Sequence, residues 1–146
     1  FLGITFNYGL ILGWVCTKNQ IDIIPLVMYL GAIFWTLGFD TVYGFQDIKD
    51  DEIIGIKSTS IKFKNNPYLF IFSCYLIFII TLIIVGQLMN FNSIFYIFIT
   101  IPMLHLFFYQ IYNFNFKDPK NSLKIFKSNN SLGALIFLNI LVGKIF

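Results

Sequence analysis

Long apolar runs alternate with short polar segments along this chain. Five runs have the length and composition of membrane-spanning helices: residues 1–15, about 24–45, about 67–88, about 93–112 and about 132–146. A helix needs about 20 apolar residues to cross the hydrocarbon core of a bilayer. Polar residues and Gly, Pro or Asn between the runs can end helices. The pattern therefore predicts an all-α bundle of about five transmembrane helices.

Small residues in the first two runs favour close packing of their helices. Gly9 and Gly13 form a GxxxG motif in the first run, and Gly31, Gly38 and Gly44 are spaced along the second. Small side chains let transmembrane helices approach each other closely. We therefore expect these glycines to lie at helix contacts.

The composition excludes an ordinary water-soluble domain and orients the chain. Hydrophobic residues make up 58% and charged residues 12%, whereas soluble domains contain about 25% charged residues. All ten basic residues are lysines, and eight of them lie in the connecting segments 46–66 and 113–130. Because two runs separate these segments, both lie on one side of the bilayer, which the positive-inside rule assigns to the cytoplasm. A lipid bilayer is the expected partner, and without a basic patch interleaved with aromatic residues no nucleic acid is expected.

The end of the second run contains candidate chemistry. Asp40 interrupts the apolar run, and a carboxylate within the membrane is expected to face a polar cavity or a partner. Asp47 and Asp51 follow seven and eleven positions later, so an uninterrupted helix would place all three within about 20° of one line. Asp50 and Glu52 would point away from it. Such a row suits Mg²⁺, a hard cation that prefers oxygen ligands. The alternative is that these carboxylates only balance the lysines of a solvated loop.

A cation and two hydroxyls follow the acidic residues. Lys57, Ser58 and Thr59 come shortly after Gly55. This combination suits a diphosphate that is bridged to the metal, with the lysine as a mobile point charge. The alternative is a lysine that only follows the positive-inside rule, beside a helix N-cap at Ser58 or Thr59.

These residues resemble a known motif. The string Asp40-Thr41-x-Tyr43, Asp47-x-x-Asp50-Asp51 and Gly55-Ile56-Lys57-Ser58-Thr59 is similar to the second aspartate-rich motif of the UbiA superfamily of intramembrane prenyltransferases, in the 4-hydroxybenzoate polyprenyltransferase branch. Weaker similarity to the same family covers nearly the whole chain, including Gln110 and the segment from Phe126 to Gly133. Family members have nine transmembrane helices. The resemblance implies that residues 1–146 are the C-terminal part of a single membrane domain and form about its last five helices.

The resemblance also implies a function. It implies a Mg²⁺-dependent aromatic prenyltransferase of ubiquinone biosynthesis, which transfers a polyprenyl group from polyprenyl diphosphate to the ring of 4-hydroxybenzoate. Asp47 and Asp51 would be the catalytic carboxylates that bind the metal, and Lys57, Asp40 and Ser58 would surround the diphosphate. The implied location is the bacterial inner membrane, with the motif on the cytoplasmic side, or alternatively the mitochondrial inner membrane.

The family also has a first motif, Asn-Asp-x-x-Asp-x-x-x-Asp, and no such string occurs in this chain. We therefore expect the N-terminal helices and half of the metal site to lie outside these 146 residues, and the chain alone to be inactive.

Two other interpretations stay open. A noncatalytic subunit or an ion or phosphate transport component would use Asp40 to line an ion path, and a sister UbiA enzyme would prenylate another aromatic acceptor or haem. A transporter is expected to place more polar residues at mid-membrane than Asp40 and His105. His105 itself is expected to form an interhelical hydrogen bond, because no carboxylate lies within a turn of it.

Overall fold

The fold is a bundle of helices. A computed structural model describes residues 2–145; Phe1 and Phe146, which end the first and last predicted runs, lie outside the described residues. The elements are α1 (Leu2–Asn7), α2 (Gly9–Lys18), α3 (Ile23–Gly44), α4 (Ile48–Ile54), α5 (Thr59–Lys62), α6 (Pro67–Leu88), α7 (Ser93–Phe98), α8 (Thr100–Leu104), a π-helix (His105–Ile111), α9 (Pro119–Lys127) and α10 (Asn129–Ile145). Between residues 2 and 145 there is no strand, so the predicted all-α class is confirmed.

Four helical stretches in the described part of the chain are long and apolar enough to cross a membrane. They are Ile23–Gly44, Pro67–Leu88, Ser93–Ile111 and Pro119–Ile145. These stretches correspond to the second, third, fourth and fifth predicted runs, and the protein is a multi-pass membrane protein. The last stretch begins earlier than predicted, because α9 leads almost directly into α10.

The first predicted run is divided, since α1 and α2 are separated at Tyr8. The side-chain amide of Asn7 donates hydrogen bonds to the carbonyl of Gly3 and to the hydroxyl of Thr36 on α3, both at 2.8 Å. A side chain that bonds to backbone carbonyls competes with regular helical bonding, and Gly9 then follows as a weak helix former. The first predicted run therefore forms two short helices, and it is not among the described stretches that are long enough to cross a membrane.

Helices α3 and α6 pack closely at the centre of the bundle. A Cβ atom at Gly31 would overlap the Thr81 side chain, and one at Gly38 would overlap the ring of Tyr75. This confirms the close approach predicted for the second run. By contrast, a Cβ atom at Gly9 or Gly13 would meet no neighbouring atom within 4 Å among the residues that the structure describes. The GxxxG motif of α2 therefore does not lie at a helix contact within the described chain.

The two lysine-rich segments lie at the same end of the bundle. Phe45, directly after α3, packs its ring against Phe114 and Phe116, with centroids 5.7 and 5.8 Å away. At the other end, the backbone N–H of Asn92 donates to the carbonyl of Gly143 at 3.2 Å. The structure thus brings both segments to one end of the bundle, which agrees with the predicted topology.

A buried polar network crosses the bundle beneath that end. The hydroxyl of Tyr75 on α6 donates to Oε1 of Gln110 at 2.6 Å, and Nε2 of Gln110 donates to Oδ1 of Asn129 at 3.0 Å. The indole N–H of Trp35 on α3 also donates to Oδ1 of Asn129, at 3.1 Å. The network therefore ties three membrane-spanning stretches to the start of α10.

The π-helix brings a second polar side chain to this network. Nε2 of His105 lies 3.1 Å from the hydroxyl oxygen of Ser128, which confirms the predicted interhelical hydrogen bond. Ser128 also accepts a hydrogen bond from Gln110 Nε2 at 3.3 Å. A π-helical turn adds a residue to the helical path and often marks a functional region.

Candidate functional site

Helix α3 ends before the acidic residues. Its last residue is Gly44, and α4 begins only at Ile48. Phe45 is 2% exposed, because its ring is buried against Phe114 and Phe116 from the other lysine-rich segment. Burying this ring takes the chain out of the helical path, so the helix does not continue through the motif.

The predicted line of three carboxylates on one helix is therefore wrong. Asp40 lies on α3, Asp47 lies in the turn, and Asp51 lies on α4. The last two lie one helical turn apart, since the backbone N–H of Asp51 donates to the backbone carbonyl of Asp47 at 2.9 Å. Neither carboxylate takes part in a hydrogen bond or an ion pair with any residue from 2 to 145. Both are free to bind a ligand.

A cavity of about 620 Å³ lies beside the start of α4. Both lysine-rich segments line it, through Phe45, Gln46, Asp47, Ile48, Lys49, Asp50, Glu52, Lys64, Asn65, Phe116, Lys117 and Pro119. Asp50 and Glu52, which an uninterrupted helix would direct away from Asp47, line the same cavity, whereas Asp51 does not. Nζ of Lys64 donates to Oε1 of Glu52 at 2.6 Å, with both side chains well exposed.

Gln46 was not identified from the sequence. Its Oε1 atom is buried and has no hydrogen-bond partner in the part of the chain that the structure describes, and the residue lines the cavity directly before Asp47. A buried amide oxygen without a donor is uncommon in folded proteins. A single glutamine in a polar turn has no periodicity that would have singled it out.

Lys57 and Ser58 lie away from this cavity. Gly55 ends α4 with a positive φ of 81°, and the chain then turns back. Lys57 and Ser58 line a separate shallow cavity of about 350 Å³. The hydroxyl of Ser58 accepts a hydrogen bond from the N–H of Ile61 at 3.3 Å. The alternative interpretation of Ser58 as a helix N-cap is therefore confirmed.

Thr59, the last residue of the motif, and Ser60 contact α3. The hydroxyl oxygens of Thr41 and Thr59 lie 2.7 Å apart, and the hydroxyl of Ser60 donates to the carbonyl of Thr41 at 3.0 Å. Asp40 and Ser58 directly precede the two threonines in the chain. The structure therefore brings the two segments that contain these predicted residues together and holds Asp47 and Asp51 in the connection between them.

The oxygen atoms near α4 fit a hard cation that shares its coordination with a phosphate. No group of three or more His, Cys, Asp or Glu residues is arranged for a metal within residues 2–145. Mg²⁺, however, is commonly bound by one or two carboxylates together with waters and substrate phosphates. Asp47 and Asp51 supply two free carboxylates one helical turn apart, and Gln46, whose Oε1 atom has no partner among the described residues, directly precedes Asp47 and lines the same cavity. These residues could hold Mg²⁺ when a phosphate completes the site.

A second cavity, of about 250 Å³, lies among α1, α3 and the start of α10. Its lining residues are Phe6, Asn7, Trp35, Thr36, Phe39, Phe126, Asn129 and Asn130. Four of these eight residues are aromatic, and the ring centroid of Phe39 lies 5.8 Å from those of both Trp35 and Phe126. The buried network orients Asn129 and Trp35 on this wall. Such a cavity suits an apolar or aromatic group, and its residues lie too far apart in the chain for a sequence motif.

Comparison with known proteins gives consistent matches. The UbiA prenyltransferase family matches residues 1–141. The chain is 36% identical over 147 residues to the mitochondrial 4-hydroxybenzoate polyprenyltransferase of Homo sapiens, and 34% over 145 residues to that of Bos taurus; each match covers 99% of this chain and 39% of the relative. It is 35% identical over 147 residues to 4-hydroxybenzoate geranyltransferase 1 of Lithospermum erythrorhizon, covering 100% of this chain and 48% of the relative. The chain thus spans about two fifths of the mammalian relatives. No solved structure matches it significantly.

Proposed function

The chain belongs to the UbiA prenyltransferase family, and on that premise we propose that it is part of a 4-hydroxybenzoate polyprenyltransferase of ubiquinone biosynthesis. The names of the matched relatives support this acceptor. Because the chain spans about two fifths of the mammalian relatives, the activity is proposed for the whole protein. One observation carries the proposal. The carboxylates of Asp47 and Asp51, one helical turn apart at the end of an apolar bundle, have no hydrogen-bond or ion-pair partner within residues 2–145.

In the proposed reaction, the C–O bond between the prenyl group and its diphosphate breaks, and the electron pair leaves with the diphosphate. A ring carbon of 4-hydroxybenzoate forms the new C–C bond and then loses its proton. Asp47 and Asp51 would hold Mg²⁺, which stabilises negative charge on the diphosphate when it is bound. The apolar helices exclude water that would otherwise compete with the ring for the prenyl group.

The remaining motif residues would surround the diphosphate. Lys57 is exposed, and its flexible four-carbon stem can carry the ammonium group towards a phosphate. Asp40 and Ser58 lie beside the contact between Thr41 and Thr59, where the loop returns to α3. Lys57 and Ser58 line a different cavity from Asp47, so the diphosphate would have to extend between α4 and the return to α3.

The experiment compares variants of the whole protein in isolated membranes, with polyprenyl diphosphate, labelled 4-hydroxybenzoate and Mg²⁺. Asp47→Asn and Asp51→Asn should each lower transfer by about 100-fold or more, because each removes one carboxylate from the metal. The matched control is Asp118→Asn, since Asp118 caps α9 by accepting from the N–H of Lys120 at 3.0 Å and asparagine caps as well as aspartate. Unchanged transfer in both motif variants would refute the assignment. Transfer to another acceptor but not to 4-hydroxybenzoate would indicate a sister enzyme.

We also propose that these 146 residues do not catalyse transfer by themselves. Between residues 2 and 145, no group of three or more His, Cys, Asp or Glu residues is arranged for a metal, and the family resemblance implies a first aspartate-rich motif that this sequence does not contain. Membranes that contain only this chain should give no prenylated product in the same assay. Product formation would contradict this statement without affecting the roles assigned to Asp47 and Asp51.

The mitochondrial names of the relatives favour the mitochondrial inner membrane over the bacterial one. We propose that location for the whole protein. Fractionation of cells that express a tagged form should place it with inner-membrane markers, and recovery in another membrane would exclude this location.

A further inference from the structure

Helix α9 has a basic face that no other group in the described chain neutralises. Lys120, Lys124 and Lys127 lie at positions i, i+4 and i+7, within an arc of about 60°, and all three are exposed. The neighbouring carboxylate, Asp118, caps the helix through the N–H of Lys120. Within residues 2–145, the ion pair Lys64–Glu52 involves none of these lysines. We call Lys120, Lys124 and Lys127 the α9 lysine face.

The other side of α9 is packed against the bundle. Ser122 and Ile125 are buried. The ring of Phe126 lies 4.7 Å from that of Tyr43 and 5.8 Å from that of Phe39, measured between centroids. Both partners belong to the last turns of α3, which also contain Asp40. The protein thus holds α9 by its apolar side and directs the lysine face away from the bundle.

The length of the last membrane-spanning stretch predicts that the α9 lysine face lies at the depth of the lipid headgroups. The stretch Pro119–Ile145 has 27 residues, about 40 Å of helix, whereas the hydrocarbon core is about 30 Å thick. One end must therefore leave the core, and unpaired lysines are costly inside it. Tyr112, which follows the preceding span, is 84% exposed, and exposed tyrosines concentrate at the membrane interface. The exposed Tyr112 before α9 and the membrane-spanning α10 after it thus both indicate that α9 lies at the interface.

We propose that the α9 lysine face binds the headgroups of anionic phospholipids, on the side of the membrane that carries the acidic motif. Membrane topology alone requires lysines on this side, but it does not require them on one face of one helix without carboxylates. Clusters of lysines beside a transmembrane helix attract anionic lipids. Because Phe126 on the same helix packs against α3, a lipid bound here also holds α9 against the candidate site. The proposal does not depend on the proposed activity.

The test measures lipid binding to the chain in detergent by native mass spectrometry, with phosphatidylglycerol as the anionic lipid and phosphatidylcholine as the neutral reference. The chain should bind phosphatidylglycerol more tightly than phosphatidylcholine. Substituting all three lysines of the face with glutamine should lower its affinity by about 100-fold, about five-fold for each lysine, with phosphatidylcholine unaffected. The control triple Lys18→Gln, Lys62→Gln and Lys144→Gln removes the same charge elsewhere and should retain the preference.

Three results would overturn the proposal: unchanged phosphatidylglycerol affinity in the α9 triple variant, an equal loss in the control triple, or displacement of the lipid by inorganic diphosphate, which would assign the face to a soluble phosphate. The corresponding arginine variants keep the charge and should bind like the original chain. If the glutamine variant does not fold, the affinity of the unmodified chain for phosphatidylglycerol is measured at increasing salt concentration. The preference for phosphatidylglycerol over phosphatidylcholine must then fall, because salt screens the lysines.

Discussion

The hydroxyl oxygens of Thr41 on α3 and Thr59 on α5 lie 2.7 Å apart, although a loop with the acidic motif separates the two residues. The Thr41 hydroxyl donates to the carbonyl of Leu37 at 2.6 Å, so the Thr59 hydroxyl is the donor in the pair. The hydroxyl of Ser60 fits beside Gly44, where a Cβ atom would overlap it. Neutral hydroxyls therefore position both ends of the acidic loop, and the carboxylates of Asp47 and Asp51 form no ion pair within residues 2–145.

The substitution Thr59→Val should loosen the closure of this loop. It removes the donor of one partly buried hydrogen bond, which contributes about 1 kcal/mol, so the amides of α5 should exchange with deuterium about five-fold faster. Hydrogen exchange with mass spectrometry checks this. Thr100→Val is the control, because the Thr100 hydroxyl is exposed and bonds only to the carbonyl of Ile97, three residues earlier in the same membrane-spanning stretch. Equal exchange in both variants would show that the threonine contact does not hold the loop.

The substitution Gly55→Ala should destabilise the turn after α4 by about 1–2 kcal/mol. Gly55 has a φ of 81°, and a Cβ atom there would meet nothing within 4 Å in the described chain, so the effect comes from the backbone alone. Asparagine tolerates this conformation better than alanine. The stability of the turn in Gly55→Asn should therefore lie between that of the unmodified chain and that of Gly55→Ala. The measurement is the rate of limited proteolysis within residues 46–58. Identical rates for the alanine and asparagine variants would contradict the explanation.

The substitution Gly38→Ala should destabilise the contact between α3 and α6 by about 1–3 kcal/mol. The new Cβ atom would overlap the ring of Tyr75, which is fully buried and held by its hydrogen bond to Gln110. Gly13→Ala provides the control, because space is open there and alanine forms helices better than glycine. Thermal unfolding in detergent should give a lower midpoint for Gly38→Ala only. A matching decrease for Gly13→Ala would indicate a contact that the described chain does not contain.

The substitution Gln110→Leu should cost about 1–3 kcal/mol for each buried polar group left unpaired. It removes the acceptor of the Tyr75 hydroxyl and a donor to Asn129, both deep in the bundle, while the side-chain volume changes little. Thermal unfolding measures the loss, and the fluorescence of Trp35 should respond because its indole shares Asn129. Gln87→Leu, at an exposed position on α6, should leave both properties unchanged. A stable Gln110→Leu protein would mean that the network does not support the fold.

Much of the fold could be predicted from the chain itself. Hydrophobicity is a local property, so four spans and their approximate bounds follow from the apolar runs. Lysine placement is also local, and it predicted that the segments around Phe45 and Phe116 lie at one end. The separation of Asp47 and Asp51 by one helical turn also follows from their spacing, because residues four apart are neighbours on a helix. What these properties have in common is that a short window of sequence determines each of them.

Only the tertiary structure decided the arrangement of the site. The burial of Phe45 against Phe114 and Phe116 ends α3 and separates Asp40 from Asp47. The contact between Trp35 and Asn129, which are 94 residues apart, gives the second cavity its wall. Both results depend on side chains that meet only after the helices pack, and no periodicity or spacing along the chain encodes which of them meet.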